Sequence, residues 1–297
     1  MEPNRHAGEI LVERAARKRL KSFRAWTPLL LLFLSACAES HSGVLTAPRP
    51  QPHVERPNPA PPPPPVAPAP IVKSTPDRIR KVELGRSVNG APLTLEIFGD
   101  GPECVFIFGG IHGNEPTSAY VARELANTLR VNWDLFEGKT VAILAEANPD
   151  GLQRGSRVNA HGVDVNRNFP ARNWRRAAKG GGKHGAAPAC EPETRAILRA
   201  MELIQPRRVV AIHSISGAGR HCNNYDGSAA GLAQLMAGHN GYKVAPTMGY
   251  ATPGSFGSYA GVDRDIPTIT LELPHGQDGA TSWRQNREAL LAFIRGH

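Results

Sequence analysis

The chain is poor in several features that often announce a role. Its four cysteines, at 37, 104, 190 and 222, include no closely spaced pair, which argues against a cysteine-built zinc site. No apolar run approaches the ~20 residues that a membrane-spanning helix needs. No internal repeat is present, so a solenoid is not expected. The formal charge is +9, and residues 1–36 hold seven basic and three acidic groups, which leaves +5 for the remainder. That mild excess lacks the clustering of a nucleic-acid footprint, and no nucleic-acid partner is expected.

Composition instead divides the chain. Residues 1–25 are polar and basic, and 26–36 are apolar. A basic stretch followed by a short apolar one reads as a secretory signal. It ends in Leu34-Ser35-Ala36-Cys37, which resembles a bacterial lipobox whose cysteine is lipidated. The basic stretch is longer than usual, which leaves room for a start codon downstream of Met1. Residues 38–76 are proline-rich, with five consecutive prolines from Pro61 to Pro65; such a segment favours extended polyproline II and builds no core. The expected organisation is a signal over 1–37, a linker over 38–76 and one globular domain over 77–297. The expected location is periplasmic, on the outer membrane through the lipid anchor.

Within 77–297 the pattern alternates. Strands are expected over 81–85 and 93–98, joined by a turn at Asn89-Gly90, and over 105–109, 139–145, 208–212 and 267–273. Helices are expected over 116–131, 191–205, with Glu193 and Arg195 on its exposed side, 227–240 and 282–295. This predicts a three-layer α/β/α fold on a mixed, largely parallel twisted sheet.

Several polar residues stand where these strands end. The run 105–108 gives way to Gly109-Gly110, then His112 and Glu115. Imidazole and carboxylate suit zinc, and strand C-termini are where α/β folds place their sites. Taken alone, the pair also fits an ordinary polar turn. His213 follows another apolar strand and is the candidate third ligand; two histidines and one glutamate with an open position make a hydrolytic zinc site. Glu272 lies inside Ile266-Pro-Thr-Ile-Thr-Leu-Glu-Leu273, where a carboxylate is costly unless paired or functional. It suits a general base, with an ion pair to a buried arginine as the alternative.

His112-x-x-Glu115, Asn148-Pro-Asp-Gly151, Gly162-Val-Asp-Val-Asn-Arg-Asn-Phe169, Ile212-His-Ser214 and Leu271-Glu-Leu273 occur in that order. In this the chain resembles the zinc carboxypeptidases of the carboxypeptidase A type. The phrase from Asn148 to Arg157 is most similar to the compact bacterial branch that holds the murein peptide amidases. The resemblance implies one zinc ion per chain on His112, Glu115 and His213, and Glu272 as the base for a zinc-activated water. It implies Arg157 as the oxyanion partner, with Arg154 nearby as the alternative, and Asp164 as acceptor for the spare N–H of His112. It implies Asn166 and Arg167 as the clamp on the leaving residue's carboxylate. Tyr250 is the match for a mobile substrate tyrosine, while Tyr259 is nearer to a different family tyrosine. Tyr225, Asp226 and residues 252–259 are expected to shape the leaving-residue pocket. Arg172, Arg175, Arg176, Lys179 and Lys183 would line a basic cleft or form a plain solvated loop.

With Cys37 lipidated, Cys190 and Cys222 are the expected disulfide in an exported domain, and Cys104 a buried thiol. The implied substrate is a peptidoglycan-derived peptide cut at the γ-D-glutamyl–meso-diaminopimelate bond. The rival readings are a general metallocarboxypeptidase, a zinc deacylase of the aspartoacylase and succinylglutamate desuccinylase type, and a tethered wall-binding module.

Overall fold

Burial separates the strands into two kinds. Four of them, β3 (Glu103–Phe108), β4 (Lys139–Leu144), β5 (Arg208–Ile215) and β8 (Thr268–Pro274), are apolar and covered on both faces, as central parallel strands must be. By contrast β1 (Ile79–Arg86) and β2 (Pro92–Phe98) alternate between buried and more exposed positions. The computed structural model describes residues 79–177, 184–246, 248–250 and 252–296. The expected signal over 1–37 with Cys37, the linker over 38–76, Asp77, Lys179 and Lys183 lie outside the described residues.

The sheet order is β1-β2-β4-β3-β5-β8-β6-β7, with β6 at Cys222–Asp226 and β7 at Lys243–Ala245. Neighbours from β4 to β8 run parallel, while β1 against β2, β2 against β4, and β6 against β8 are antiparallel. Alternation along β3 divides the core. Val105 and Ile107 join one apolar layer with α1 (Pro116–Val131), α4 (Ala230–Asn240) and α5 (Gly279–Arg295). Phe106 and Phe108 join the opposite layer with α3 (Pro192–Ile204), Phe169 and Phe256. Each fully buried Phe or Leu in these layers contributes about 1.5–3 kcal/mol of transfer free energy.

The chain leaves β3 through α1 to reach β4 on one side, and later returns to β5 on the other side of β3. Such a reversal opens a crevice at the C-terminal strand ends. Two turns are pressed together there. Asn148 caps the short helix α2 (Pro149–Arg154) by accepting from Gly151 N at 2.9 Å, and its Nδ2 donates to Ile111 O at 3.1 Å. Gly113 meets this turn so closely that a Cβ would lie 1.8 Å from the carbonyl carbon of Gly151.

Several expectations need correction. Strand β5 continues to Ile215, so His213 lies inside it. The polar strands β6 and β7 and the helix α2 were not legible as elements, and Gly257–Val262 forms a π-helical turn. Glu193 is fully buried rather than on the exposed side of α3, because Val88 N and Asn159 Nδ2 donate to it at 3.1 and 2.8 Å. Cys104 is half-buried rather than buried.

Replacing Gly113 with alanine forces the two turns apart, and overpacking of this kind costs about 1–3 kcal/mol. The expected outcome is a lower Tm together with weaker zinc retention, because the displaced turn carries His112. Thermal unfolding and metal analysis of the Gly113→Ala protein check both.

Candidate active site and metal centre

Three neighbouring strands deliver the site. His112 and Glu115 occupy the turn after β3, His213 lies in β5, and Glu272 lies in β8 directly opposite His213 in the parallel register. Glu115 ends this turn just before α1 without using its side chain as a cap, and its carboxylate is free to turn inward.

There it meets two histidine ring nitrogens. His112 Nδ1 lies 2.8 Å from Glu115 Oε1, and His213 Nδ1 lies 3.1 Å from Glu115 Oε2 and 3.2 Å from His112 Nδ1. All three residues are buried. On the far side of the ring, His112 Nε2 lies 3.0 Å from Asp164 Oδ1. A carboxylate there takes the Nε2 proton and leaves a lone pair on Nδ1, the arrangement that metal-binding histidines need. Two ring nitrogens and a carboxylate facing one space within ~3 Å are bridged either by protons or by a cation, and two imidazoles with one carboxylate are a donor set for zinc. His112, Glu115 and His213 are the residues whose ligating atoms all lie within 4.8 Å of one another.

Without a cation, a proton holds the cluster together. Burial alone would lower the His112 pKa, but Glu115 and Asp164 outweigh it and hold it up at about 9. Burial works against the charged forms of Glu115 and Asp164, yet the neighbouring histidines, and for Asp164 also Arg157 and Arg167, keep both well below the usual carboxylate range. Ser214 N donates to Glu115 Oε2 at 2.9 Å. Glu272 behaves oppositely. Burial raises its pKa, His213 opposes this, and the Glu115 charge adds to it. Its Oε2 is buried with no hydrogen-bond partner among the described residues. An unpaired carboxylate of raised basicity in a cleft is what a general base requires.

Arg157 Nε donates to Asp164 Oδ2 at 2.9 Å and Nη1 approaches Glu115 Oε1 at 3.5 Å. It lines the same cleft of about 270 Å³ as the metal-binding group, whereas Arg154 is exposed outside it. Asn166 and Arg167 also line the cleft. Asn166 Oδ1 accepts from Phe256 N at 2.8 Å, and its Nδ2 lies 3.3 Å from His213 Nε2. Tyr250 stands half-exposed at the same cleft, while Tyr259 is buried against Phe169 and Arg264. Asp226, at the end of β6, faces the cleft too. Its carboxylate packs on Gly257, where a Cβ would lie 2.1 Å from Oδ2. Burial raises its pKa. Asn224, Thr270 and His275 complete the lining and carried no sequence signal.

The expected disulfide is absent: Cys190 and Cys222 are free thiols. Cys190 lies before α3, beside Asn168 Nδ2 at 3.3 Å and Glu191 Oε1 at 3.2 Å. Cys222 lies within β6 opposite Glu272. Both are near the cleft in sequence terms but are held on different elements.

Glu272→Gln tests this candidate base and keeps the metal-binding set. Turnover should fall by about 10²–10⁴-fold with zinc content unchanged; normal turnover would show that Glu272 is not the base. Asp164→Asn should weaken zinc binding by about 10–100-fold, as read by competition with a chromogenic chelator.

A family model described as zinc carboxypeptidase matches residues 69–231. The chain is 35% identical over 206 residues to murein peptide amidase A of Escherichia coli, covering 64% of this chain and 79% of that protein. It is 30% identical over 215 residues to the protein of the same name from Vibrio campbellii, covering 66% and 80%. The crystal structure of a murein-tripeptide amidase from Escherichia coli superposes with a TM-score of 0.60 at 30% identity, over 73% of this chain and 92% of that one. Bovine thrombin-activatable fibrinolysis inhibitor, 18% identical, shares the fold with a TM-score of 0.63 over 75% and 90%. With its strand-end histidines and glutamates placed as described, the chain belongs to the zinc carboxypeptidase family and is a hydrolase of the metallopeptidase class.

Proposed function

We propose that this enzyme hydrolyses the γ-D-glutamyl–meso-diaminopimelate bond of murein peptides and releases diaminopimelate. The observation that carries the reading is the mixed charge of one pocket. Arg167 offers a guanidinium, and Asp226 offers a half-buried carboxylate that has no hydrogen bond or ion pair among the described residues. An apolar leaving residue would leave Asp226 uncompensated. Diaminopimelate brings a carboxylate beside the scissile amide and, at its far end, an ammonium group. Similarity to the murein peptide amidases supports the same substrate class.

Zinc held by His112, Glu115 and His213 would supply Lewis acidity, lowering the pKa of water and polarising a carbonyl. Glu272 takes the proton of the attacking water and passes it to the departing amine. Arg157 donates to the oxygen on which negative charge develops. Asn166 and Arg167 hold the leaving residue's carboxylate, the guanidinium by paired hydrogen bonds. Tyr250 closes over the bound residue. Asp226 receives the distal ammonium.

We further infer that Cys37 carries a lipid and that residues 38–76 act as a spacer, holding the domain away from a membrane and near the cell wall. The lipobox and the proline-rich composition support this.

Mass spectrometry of the zinc-loaded protein with L-Ala-γ-D-Glu-diaminopimelate should show free diaminopimelate, with little release from ordinary C-terminal peptides. The opposite preference would favour a general carboxypeptidase. Asp226→Ala should lower kcat/KM for this tripeptide by about ten-fold or more, the scale of one lost charged hydrogen bond. It should spare an analogue ending in 2-aminopimelate, which lacks only the distal amine. Cys37→Ser should move the protein from membrane to soluble fractions, and unchanged fractionation would refute the anchor.

A further inference from the structure

The loop after α2 carries both Arg157 and Asp164, and between them stands Asn159, which is buried and lines no part of the cleft. Every hydrogen-bonding group of its side chain is used. Its Oδ1 accepts from His161 N at 3.1 Å and Val163 N at 2.9 Å, and its Nδ2 donates to Glu191 Oε2 at 2.7 Å and Glu193 Oε2 at 2.8 Å. Its backbone N donates to Val163 O and its carbonyl accepts from Gly162 N, both at 2.9 Å. The loop is thereby folded onto itself and fastened to the start of α3. Arg157 Nε closes the mouth of the loop on Asp164 Oδ2 at 2.9 Å.

The fastening is unusual in its charge. Glu191 and Glu193 are both buried, and one amide nitrogen holds the two carboxylates together. Glu193 also accepts from Val88 N at 3.1 Å in the β1–β2 hairpin, and Glu191 from His161 Nδ1 at 2.8 Å and from the Cys190 thiol at 3.2 Å. The bond pattern therefore runs from the hairpin and α3, through Asn159, to the loop whose two ends are Arg157 and Asp164. The Arg157 side chain is 43% exposed, and a long exposed guanidinium otherwise samples many rotamers. A displaced donor loses much of its value to a transition state, since misplacement of about 1 Å can cost 10²-fold in rate.

We infer that Asn159 is a positioning residue for the reaction: its clamp on Glu191 and Glu193 holds the Arg157 guanidinium where the oxyanion forms. Asn159 touches neither the metal ligands nor the cleft, and its influence on turnover runs through Arg157. This rests on the reading of Arg157 as the oxyanion partner.

The test uses the zinc-loaded full chain. Asn159→Ala should lower kcat by about ten-fold or more with KM changed less than about two-fold, the signature of an interaction made in the transition state. Added to Arg157→Ala, it should cause almost no further loss, because residues that act through one another are not additive. A spectroscopic arm needs no activity. With ¹⁵N-arginine, the Arg157 Nε–H signal, assigned by its disappearance in Arg157→Lys, should be protected from exchange in the parent and lost or broadened in Asn159→Ala. If Asn159→Ala does not fold, Asn159→Asp supplies the perturbation, since it sets a third carboxylate against Glu191 and Glu193. Combining it with Glu191→Gln restores a donor–acceptor pair and should recover both kcat and the Nε–H signal. Additive losses with Arg157→Ala, or an unchanged Arg157 signal in both single variants, would overturn the inference. Full kcat in Arg157→Ala alone would instead sink the oxyanion reading, while the spectroscopic arm would still report whether Asn159 holds Arg157.

Discussion

The constraint on which this molecule depends is the crowding of three ligating side chains at one buried point. His112 Nδ1, His213 Nδ1 and both oxygens of Glu115 crowd together at 2.8–3.2 Å. Asp164 fixes the His112 ring from behind, so that ring cannot turn its other nitrogen inward without losing a buried partner. A protein would not keep such a cluster for packing, since each of these groups is costly to bury without a partner. A divalent cation satisfies all of them at once. Much of the surrounding architecture can be understood as the support that keeps these donors in place before the cation arrives.

That support is the central parallel sheet. The reversal around β3 makes the turns after β3 and β4 neighbours and sets β5 and β8 on the other side. The Asn148-Pro-Asp-Gly151 segment then acquires a physical role. Asn148 caps its own helix and donates to Ile111 O, one residue before His112. Gly113 and Gly151 are in backbone contact because neither carries a side chain. Phe256 N, at the edge of the π-helical turn, holds Asn166 by its amide oxygen, and Asn166 reaches His213. The metal-binding group and Asn166 are thus connected through a few short bonds.

These facts also explain what could be read in the sequence. Helix Pro116–Val131 was legible to the residue, since proline opens it and its apolar spacing is regular. His112, Glu115, His213 and Glu272 were legible because each interrupts or follows an apolar strand, where a polar group stands out. Strand β6 was not, because Cys-Asn-Asn-Tyr-Asp has a loop's composition. It is stabilised by partners distant in sequence, Asn223 on Asn240 and Asn224 on Ala245 O. Glu193 was misread for the same reason: periodicity describes a helix surface but not the backbone N–H of Val88 that covers it. The cysteine pair failed because proximity to a site does not specify which element faces which.

Charge sets what the finished site will accept. Glu115, Asp164 and Glu272 supply three carboxylates at the centre, and Arg157 and Arg167 supply two guanidinium groups, with both histidines neutral as ligands. With the histidines neutral as ligands these side chains sum to one net negative charge, and a bound dication would turn this to one net positive. In a cleft with low-dielectric walls that residual charge favours a substrate carboxylate beside the scissile bond. Asp226 lies outside this balance. It is half-buried at the end of β6, its pKa raised by the loss of water, with Gly257 giving it room. A neutral Asp226 would reject no apolar residue, but an ionised one demands a cation, and the binding of an ammonium group would itself favour ionisation. In the function proposed above, the carboxylate would thus convert a general preference for a free carboxyl terminus into selection for a leaving residue that carries a second, positive end.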